Sequence, residues 1–299
     1  MSRSDRGEEL SAGFLRRWPL PPIDPKGGKE SRGSVLVVAG SPQMPGAAVL
    51  AATAALRAGA GKLQVATARS VSHLVAAQVP EALVIGLPET SEGGLSPKAA
   101  KEIVRRAENV SAVLLGPGMV DTAAAGKLSV ALCEQLSDVT LVLDAEALEC
   151  CSVDPAAVGA SRARVAITPH AKEMAHLLGL EPEEVEKDPR EMALRAAKSL
   201  RATVALKGAQ TWMANGEGRL LRNRIAGNAG LGTSGSGDTL SGIVAGLAAR
   251  GAEPLQAVAW AVYAHGRAGD ALARKVGPVG YLARELLAEV PRELAKLTR

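Results

Sequence analysis

The sequence predicts one α/β domain built on a doubly wound, mostly parallel sheet with helices on both faces. Three observations carry that reading. Short β-branched apolar runs alternate with Ala/Leu-rich stretches of helical length, the pattern of successive βα units. The apolar runs are continuous rather than alternating, as strands covered on both faces are. The residues that follow these runs are repeatedly Gly-rich or polar, at 40–46, 116–118, 144–146, 168–173 and 207–211, and ligands bind at that edge in open α/β sheets.

Residues 34–39 (SVLVVA) read as the first buried strand, closed by the turn signal Gly40-Ser41-Pro42. An Ala/Leu-rich helix follows at 47–57, then strands at 62–67 and 83–87. Pro97 suits the first helical position of 97–107. The pattern then repeats. A strand at 112–115 ends in Gly116-Pro117-Gly118, a helix occupies 123–136, and a strand at 140–143 ends at Asp144. Asp144 would cap a short turn over 145–149. The strand at 163–167 ends in Thr168-Pro169-His170 before a helix at 172–178. A short turn opens at Pro182, a clearer helix spans 189–200, and a strand at 203–206 ends in Lys207-Gly208. Segments 211–214 and 219–222 flank Asn215-Gly216 and read as a hairpin. From residue 236 onward the chain reads as three helices, at about 236–250, 254–274 and 279–296. No linker and no internal repeat interrupts 33–299, so these residues form one domain. Residues 1–32 are polar, with prolines at 19, 21, 22 and 25, and read as a loosely held, flexible lead-in.

Composition narrows the function classes. Of 299 residues, 47% are hydrophobic but only 2% aromatic, so Ala, Val, Leu and Gly build the core. That scarcity argues against a single-strand nucleic-acid binder, which stacks bases on rings. A formal net charge of +4 is a mild excess, not a basic stripe, and suits a small anionic ligand. The three cysteines, Cys133, Cys150 and Cys151, form no CxxC; they predict reduced thiols in a cytoplasmic protein and no zinc site. No signal-peptide h-region and no long apolar run occur, so neither export nor a membrane span is expected.

The segment richest in chemistry is 227–242, GNAGLGTSGSGDTLSG, with six glycines in sixteen residues ahead of an apolar helix. A Gly-rich turn feeding a helix presents bare N–H groups and the positive end of the helix dipole, which together hold phosphate oxygens. Asp238 falls in the first helical turn. There a carboxylate stabilises the dipole by roughly 0.3–1 kcal/mol, or it serves as a general base drawing the proton from a hydroxyl that attacks a terminal phosphate. The N–H groups of Gly235, Ser236 and Gly237 would then stabilise charge on the transferred group. Two chance matches fall away. The GxGxxG of 230–235 is followed by helices, not by the strand a dinucleotide-binding unit needs, and Ala60-Gly61-Lys62-Leu63 lacks the upstream Gly and trailing Ser/Thr of a P-loop.

Several ordered stretches resemble one known family. VLVVAGSPQMPGAAVLAA (35–52), LLGPGM (114–119), LVLDAEAL (141–148), ITPHAKEMAHLLG (167–179), ALKGAQT (205–211), GNAGLGTSGSGDTLSGIVAG (227–246) and AVYAHGRAGD (261–270) are similar to the ADP/ATP-dependent NAD(P)H-hydrate dehydratases, a branch of the ribokinase-like fold. The resemblance runs from about Gly33 to Pro291. It implies ADP-dependent repair of (6S)-hydrated NADH or NADPH: the ring hydroxyl is phosphorylated, phosphate leaves, and AMP is the second product, with Mg²⁺ bridging the nucleotide phosphates. It further implies a homotetramer acting on small molecules alone, without nucleic acid or membrane.

By the same resemblance Asp238 is the base and Gly237 lines the phosphates. Lys207, Gly208, Ala209, Gln210 and Thr211 touch the AMP portion. Ala47, Gly118 and His170 contact the hydrated cofactor, and Glu173 stands near Mg²⁺. Plainer roles exist for each. Ala47 would pack a helix start on the sheet, His170 would bond locally at a strand end, Lys207 would be a solvated charge, and Glu173 would be a first-turn acid. The sequence departs from the family pattern at Ser234, where many relatives have Gly, at Ala171-Lys172 in place of Pro-Gly, and at Glu146 in a small-residue or Asp slot. These departures bear on substrate preference more than on the reaction. The epimerase domain fused to some relatives is not expected, since about thirty leading residues cannot hold it. The competing reading is a ribokinase-like ATP-dependent kinase of a small alcohol such as hydroxymethylpyrimidine or thiazole, and a third is a non-catalytic nucleotide sensor.

Overall fold

The computed structural model describes residues 7–224 and 226–298, and its centre is a ten-stranded sheet. In chain order the first elements are β1 (Glu8–Glu9), α1 (Ala12–Arg17), β2 (Ser34–Val38), α2 (Pro45–Arg57), β3 (Lys62–Ala68), α3 (Ser72–Gln78), β4 (Leu83–Leu87), α4 (Ala100–Ala107), β5 (Ala112–Leu115) and α5 (Thr122–Gln135). Then come β6 (Ser137–Leu143), α6 (Cys150–Val153), α7 (Pro155–Ala160), β7 (Arg162–Ile167), α8 (Ala171–Leu178), α9 (Pro182–Lys187) and α10 (Pro189–Leu200). The last are β8 (Thr203–Leu206), β9 (Thr211–Ala214), β10 (Leu220–Asn223), α11 (Ser236–Ala249), α12 (Pro254–Lys275) and α13 (Ala283–Leu297).

The strand order is β1-β10-β9-β8-β7-β6-β5-β2-β3-β4. All pairings are parallel except those of β9, which runs against both β8 and β10. Successive side chains of a strand point to opposite faces, and the continuous apolar runs use both. Val35 and Val37 pack under α2, α11 and α12, while Leu36 and Val38 pack into the layer of α4, α5 and α10. The chain winds outward from β2 to β4, then returns past β2 to β5 and winds the other way. The winding therefore reverses between β2 and β5, the place where doubly wound sheets open a ligand crevice. Strand register sets the ends level there: Val38 pairs with Leu115, Leu115 with Leu143, and Leu143 with Ile167. One residue beyond β8, His170 and Lys207 form a further parallel bridge. All five polar clusters are thus carried to one edge of the sheet.

Several boundaries differ from the sequence reading. Helix α2 starts at Pro45, using the proline as its first helical residue. The last helix starts at Ala283 rather than 279, because Gly277 and Gly280 hold φ values of 145° and 96° that a helix cannot contain. The hairpin turn is longer than Asn215-Gly216: Asn215 and Arg219 close it, and its left-handed residue is Gly218.

The lead-in differs most. Residues 1–6 lie outside the described part, but 7–20 are docked on the domain rather than loose, while most of 21–32 is exposed. Strand β1 pairs with β10 through Glu8 and Glu9, and Ser11 caps α1 by accepting the Phe14 N–H at 3.1 Å. Leu10 and Leu15 are fully buried, and the Trp18 carbonyl accepts the Trp260 indole N–H at 3.0 Å. Apolar residues five apart in a polar stretch give no periodic signal, so their burial was invisible in the sequence. Leu15→Ala is expected to cost about 2–4 kcal/mol, read as a lower urea midpoint; an unchanged midpoint would mean that the segment is not docked.

Candidate active site

Helix α11 begins at the level edge. Its N-cap residue Gly235 has φ 87°, and a Cβ there would press on Leu50 Cδ1 at 2.5 Å and Ala283 Cβ at 3.1 Å. A side chain would therefore be strained twice, by backbone angle and by space. First-turn N–H groups have no carbonyl within their own helix. Of the three amides expected to bind an anion, that of Ser236 is taken by the Thr233 carbonyl at 3.2 Å. Gly237 stands beside Lys207, whose Nζ would lie 3.7 Å from a Cβ at position 237.

Lys207 is not a solvated charge. Its side chain is 21% exposed, its Nζ donates to Asp144 Oδ1 at 2.9 Å, and Glu173 Oε2 lies 3.9 Å away. Burial pulls its pKa down, but Asp144 and Glu173 outweigh that and hold it above the ordinary lysine value. Asp144 is 2% exposed. It makes no capping bond to the turn that follows it; instead Oδ1 also accepts the Thr168 hydroxyl at 2.8 Å. The capping role expected of Asp144 is therefore not realised. Its partners lie 63 and 24 residues away along the chain, a proximity that only the parallel register of β6, β7 and β8 creates.

Asp238 sits one residue beyond Gly237, half-buried. Burial first, then the negative charge of Asp144, push its pKa up to about 6, with Glu146 adding and Lys207 opposing. A carboxylic acid tuned to that range suits general-base work near neutral pH.

His170 and Glu173 form a reciprocal cap on α8: Nδ1 of His170 accepts the Glu173 N–H at 3.1 Å, and Glu173 Oε2 accepts the His170 N–H at 2.7 Å. Accepting at Nδ1 leaves the ring proton of neutral His170 on Nε2. Both plainer readings, local bonding for the histidine and a first-turn acid for the glutamate, are therefore realised in the fold.

A cleft of about 690 Å³ opens on this edge, lined among others by His170, Lys207, Gly208, Ala209, Thr211 and Gly237, within the size range of small-ligand sites. Gln210 belongs to the same loop and is exposed, but neither it nor Asp238, which adjoins the lining residue Gly237, is part of the lining. His265, which the sequence reading did not single out, lines the cleft and is joined to Ser236 Oγ through Nε2 at 3.1 Å. Burial lowers its pKa to about 4, so it is neutral at physiological pH. A second hollow of about 260 Å³ shares His170 and is bordered by Glu146, Lys172 and Glu173.

Ala47 and Gly118 meet at the β2/β5 reversal. A methyl on Gly118 would run into Ala47 Cβ and come within 2.8 Å of the Met44 carbonyl, and the Gly40 N–H donates across to the Pro117 carbonyl at 2.8 Å. Both residues are buried, so the pair packs the start of α2 on the loop after β5, the plainer role expected of Ala47, and lies outside the lining of the two hollows.

The family model for NAD(P)H-hydrate dehydratase matches residues 35–292. The chain belongs to this family. Among relatives of that description, the ADP-dependent (S)-NAD(P)H-hydrate dehydratase of Xanthomonas campestris is 45% identical over 294 residues, covering 98% of each chain. The bifunctional NAD(P)H-hydrate repair enzyme of Moorella thermoacetica is 39% identical, and the alignment covers 96% of this chain but 54% of that one. In structure, the ADP/ATP-dependent NAD(P)H-hydrate dehydratase of Bacillus subtilis, co-crystallised with ATP and Mg²⁺, superposes with a TM-score of 0.82 at 28% identity, covering 98% and 99% of the two chains. A hydroxyethylthiazole kinase from Pyrococcus horikoshii reaches a TM-score of 0.55 at 18% identity, which shows a shared fold only. Dehydratase family members, not the alcohol kinases of the competing reading, are therefore the chain's near relatives, and the sheet is ribokinase-like as the resemblance implied. Among the described residues no helix is long and apolar enough to cross a membrane.

Proposed function

We propose that this protein dehydrates the S form of hydrated NADH or NADPH at the expense of ADP, giving the reduced cofactor, AMP and phosphate. The observation that carries the reading is Asp238, a carboxyl group with its pKa raised to about 6 at the amide-bearing start of α11, in a chain 45% identical to a relative of that name. Asp238 takes the proton of the ring hydroxyl as its oxygen forms a bond to the β-phosphorus of ADP. The bond from that phosphorus to the bridging oxygen breaks, and AMP leaves. The ring nitrogen's lone pair then expels the phosphate ester as inorganic phosphate, leaving an iminium, and loss of a proton to water from the neighbouring ring carbon restores the double bond and returns the lone pair to nitrogen. The Gly237 amide and Lys207 offset the charge of the transferred group. The Gly208, Ala209, Gln210 and Thr211 loop accommodates the AMP portion, while Ala47, Gly118 and His170 border the hydrated cofactor.

The family resemblance implies Mg²⁺ as the partner of the nucleotide phosphates. That ion keeps most of its waters and is held by one or two carboxylates together with substrate phosphates. Glu173 is the carboxylate that would face it. When bound, Mg²⁺ neutralises phosphate charge. The three buried free thiols support a reducing cytoplasmic setting. A four-copy assembly rests on the family resemblance and is checked by light scattering.

The deciding assay mixes the protein with hydrated NADH and Mg²⁺, with ADP and ATP in parallel. Near-ultraviolet NADH absorbance should return, faster with ADP. Phosphorylation of a hydroxymethylpyrimidine or thiazole alcohol without that recovery would overturn the proposal in favour of a kinase.

A further inference from the structure

We infer that Asp144 is the positioning residue of this site: from the end of β6 it fixes the Lys207 ammonium against the start of α11 and sets the electrostatic field in which Asp238 works. The inference rests on the reading of Asp238 as the base. Asp144 is 2% exposed, and a buried carboxylate persists only where it is paired and hydrogen-bonded. Both conditions are met by groups from two neighbouring strand ends. Lys207 Nζ donates at 2.9 Å from beyond β8, and the Thr168 hydroxyl donates at 2.8 Å from beyond β7. The hydroxyl pins the carboxylate, and the carboxylate pins the lysine. The lysine reaches across to Gly237, where a transferred phosphoryl group would sit. Without Asp144, Lys207 would keep only Glu173 at 3.9 Å, an acid already committed to the His170 cap.

The charged groups that face Asp238 are Asp144, Lys207 from the end of β8, and Glu146 on the turn after β6. Glu173 of α8 lies 3.9 Å from Lys207 Nζ, and His265 of α12 is neutral and bonded to Ser236. Asp144 raises the Asp238 pKa by more than Lys207 lowers it. Removing the Asp144 charge therefore shifts the base downward even if Lys207 swings away.

The test uses the full chain and two readouts, kcat/KM against pH and direct titration of the Asp238 carboxyl carbon by ¹³C NMR, which needs no turnover. In Asp144→Asn the Asp238 titration and the acid limb of the rate profile should both move to lower pH, on the order of one unit. A residue that merely held the fold would lower the amplitude and leave the limb in place. An unmoved carboxyl titration in a folded Asp144→Asn protein would overturn the inference. A moved titration in a chain whose wild type shows no dehydratase turnover would support the field of Asp144 and overturn the reading of the reaction instead. Thr168→Val keeps the charge and loses only the hydrogen bond, so it carries the test where the first variant fails to fold. It should lower kcat/KM about threefold to tenfold with the acid limb unmoved, and wild-type kinetics would overturn the positioning role.

Discussion

Asp238→Asn should be both a nearly dead enzyme and a more stable protein. On the activity side, asparagine keeps the shape and can no longer accept a proton, so turnover should fall by roughly 10²–10⁴-fold, the scale of a positioned base. Binding of ADP, followed by calorimetry, should persist. In the wild type kcat/KM should drop about tenfold per pH unit below about 6, where the carboxyl becomes protonated. On the stability side the sign runs opposite to that of an ordinary surface carboxylate. The folded pKa lies above the ordinary aspartate value of 3.8, so between about pH 4 and 6 the folded state binds more protons than the unfolded one. The stability that this protonation gives is complete below the unfolded pKa and is lost as pH rises through the folded value. At pH 7 the folded wild type therefore holds an ionised acid in a site that disfavours it. A shift of this size corresponds to about 3 kcal/mol at most, reduced by partial exposure. Replacing the acid by an amide should raise Tm by a few degrees at pH 7, and the advantage should vanish near pH 4. Full turnover would remove Asp238 from the mechanism, and an equal Tm difference at both pH values would mean that its folded pKa is not raised.

Which parts of this site the sequence could show follows from the range of the forces involved. The buried strands were legible because a parallel sheet with both faces covered demands unbroken apolar runs, and β2 and β5 carry them while β6 and β7 end in them. The start of α11 was legible because anion binding by backbone amides needs glycines, which leave a mark in composition. Asp144 and Lys207 appear in the sequence only as two polar residues ending two strands. Their pairing depends on β6, β7 and β8 lying side by side in register, and no local pattern records that. The same limit hid β1 and α1, whose two-residue pairing and isolated leucines are meaningful only once β10 and α12 are in place. His265 was hidden in another way. It lies on an apolar helix, where a histidine reads as an ordinary core residue until its bond to Ser236 and its place in the cleft are seen.

The largest effect on the fold should come from Gly242→Ala. Helices α2 and α11 cross so closely that a methyl on Gly242 would run into the Ala51 carbonyl oxygen and approach Ala54 Cβ at 2.8 Å, and Gly246 meets Ala55 and Ala58 in the same way. Alanine is the better helix former by about 1 kcal/mol. The atom in the way, however, is backbone and cannot rotate aside, so overpacking of about 1–3 kcal/mol or more decides the sign. The consequence reaches the chemistry, because the same helix packing seats the first turn of α11, which carries Gly237 and Asp238. Forcing the helices apart moves the base relative to the bound hydroxyl, and misplacement on the scale of 1 Å costs about 10²-fold in rate. Gly242→Ala should therefore lower Tm and turnover together, whereas Asp238→Asn separates them. Gly13→Ala serves as the control: in α1 the added methyl meets nothing closer than Arg17 Nη1 at 3.6 Å, so helix propensity alone should stabilise the protein by about 0.5–1 kcal/mol. Stabilisation by Gly242→Ala would mean that the two helices are not held in contact, and the site would then need another scaffold to seat the first turn of α11.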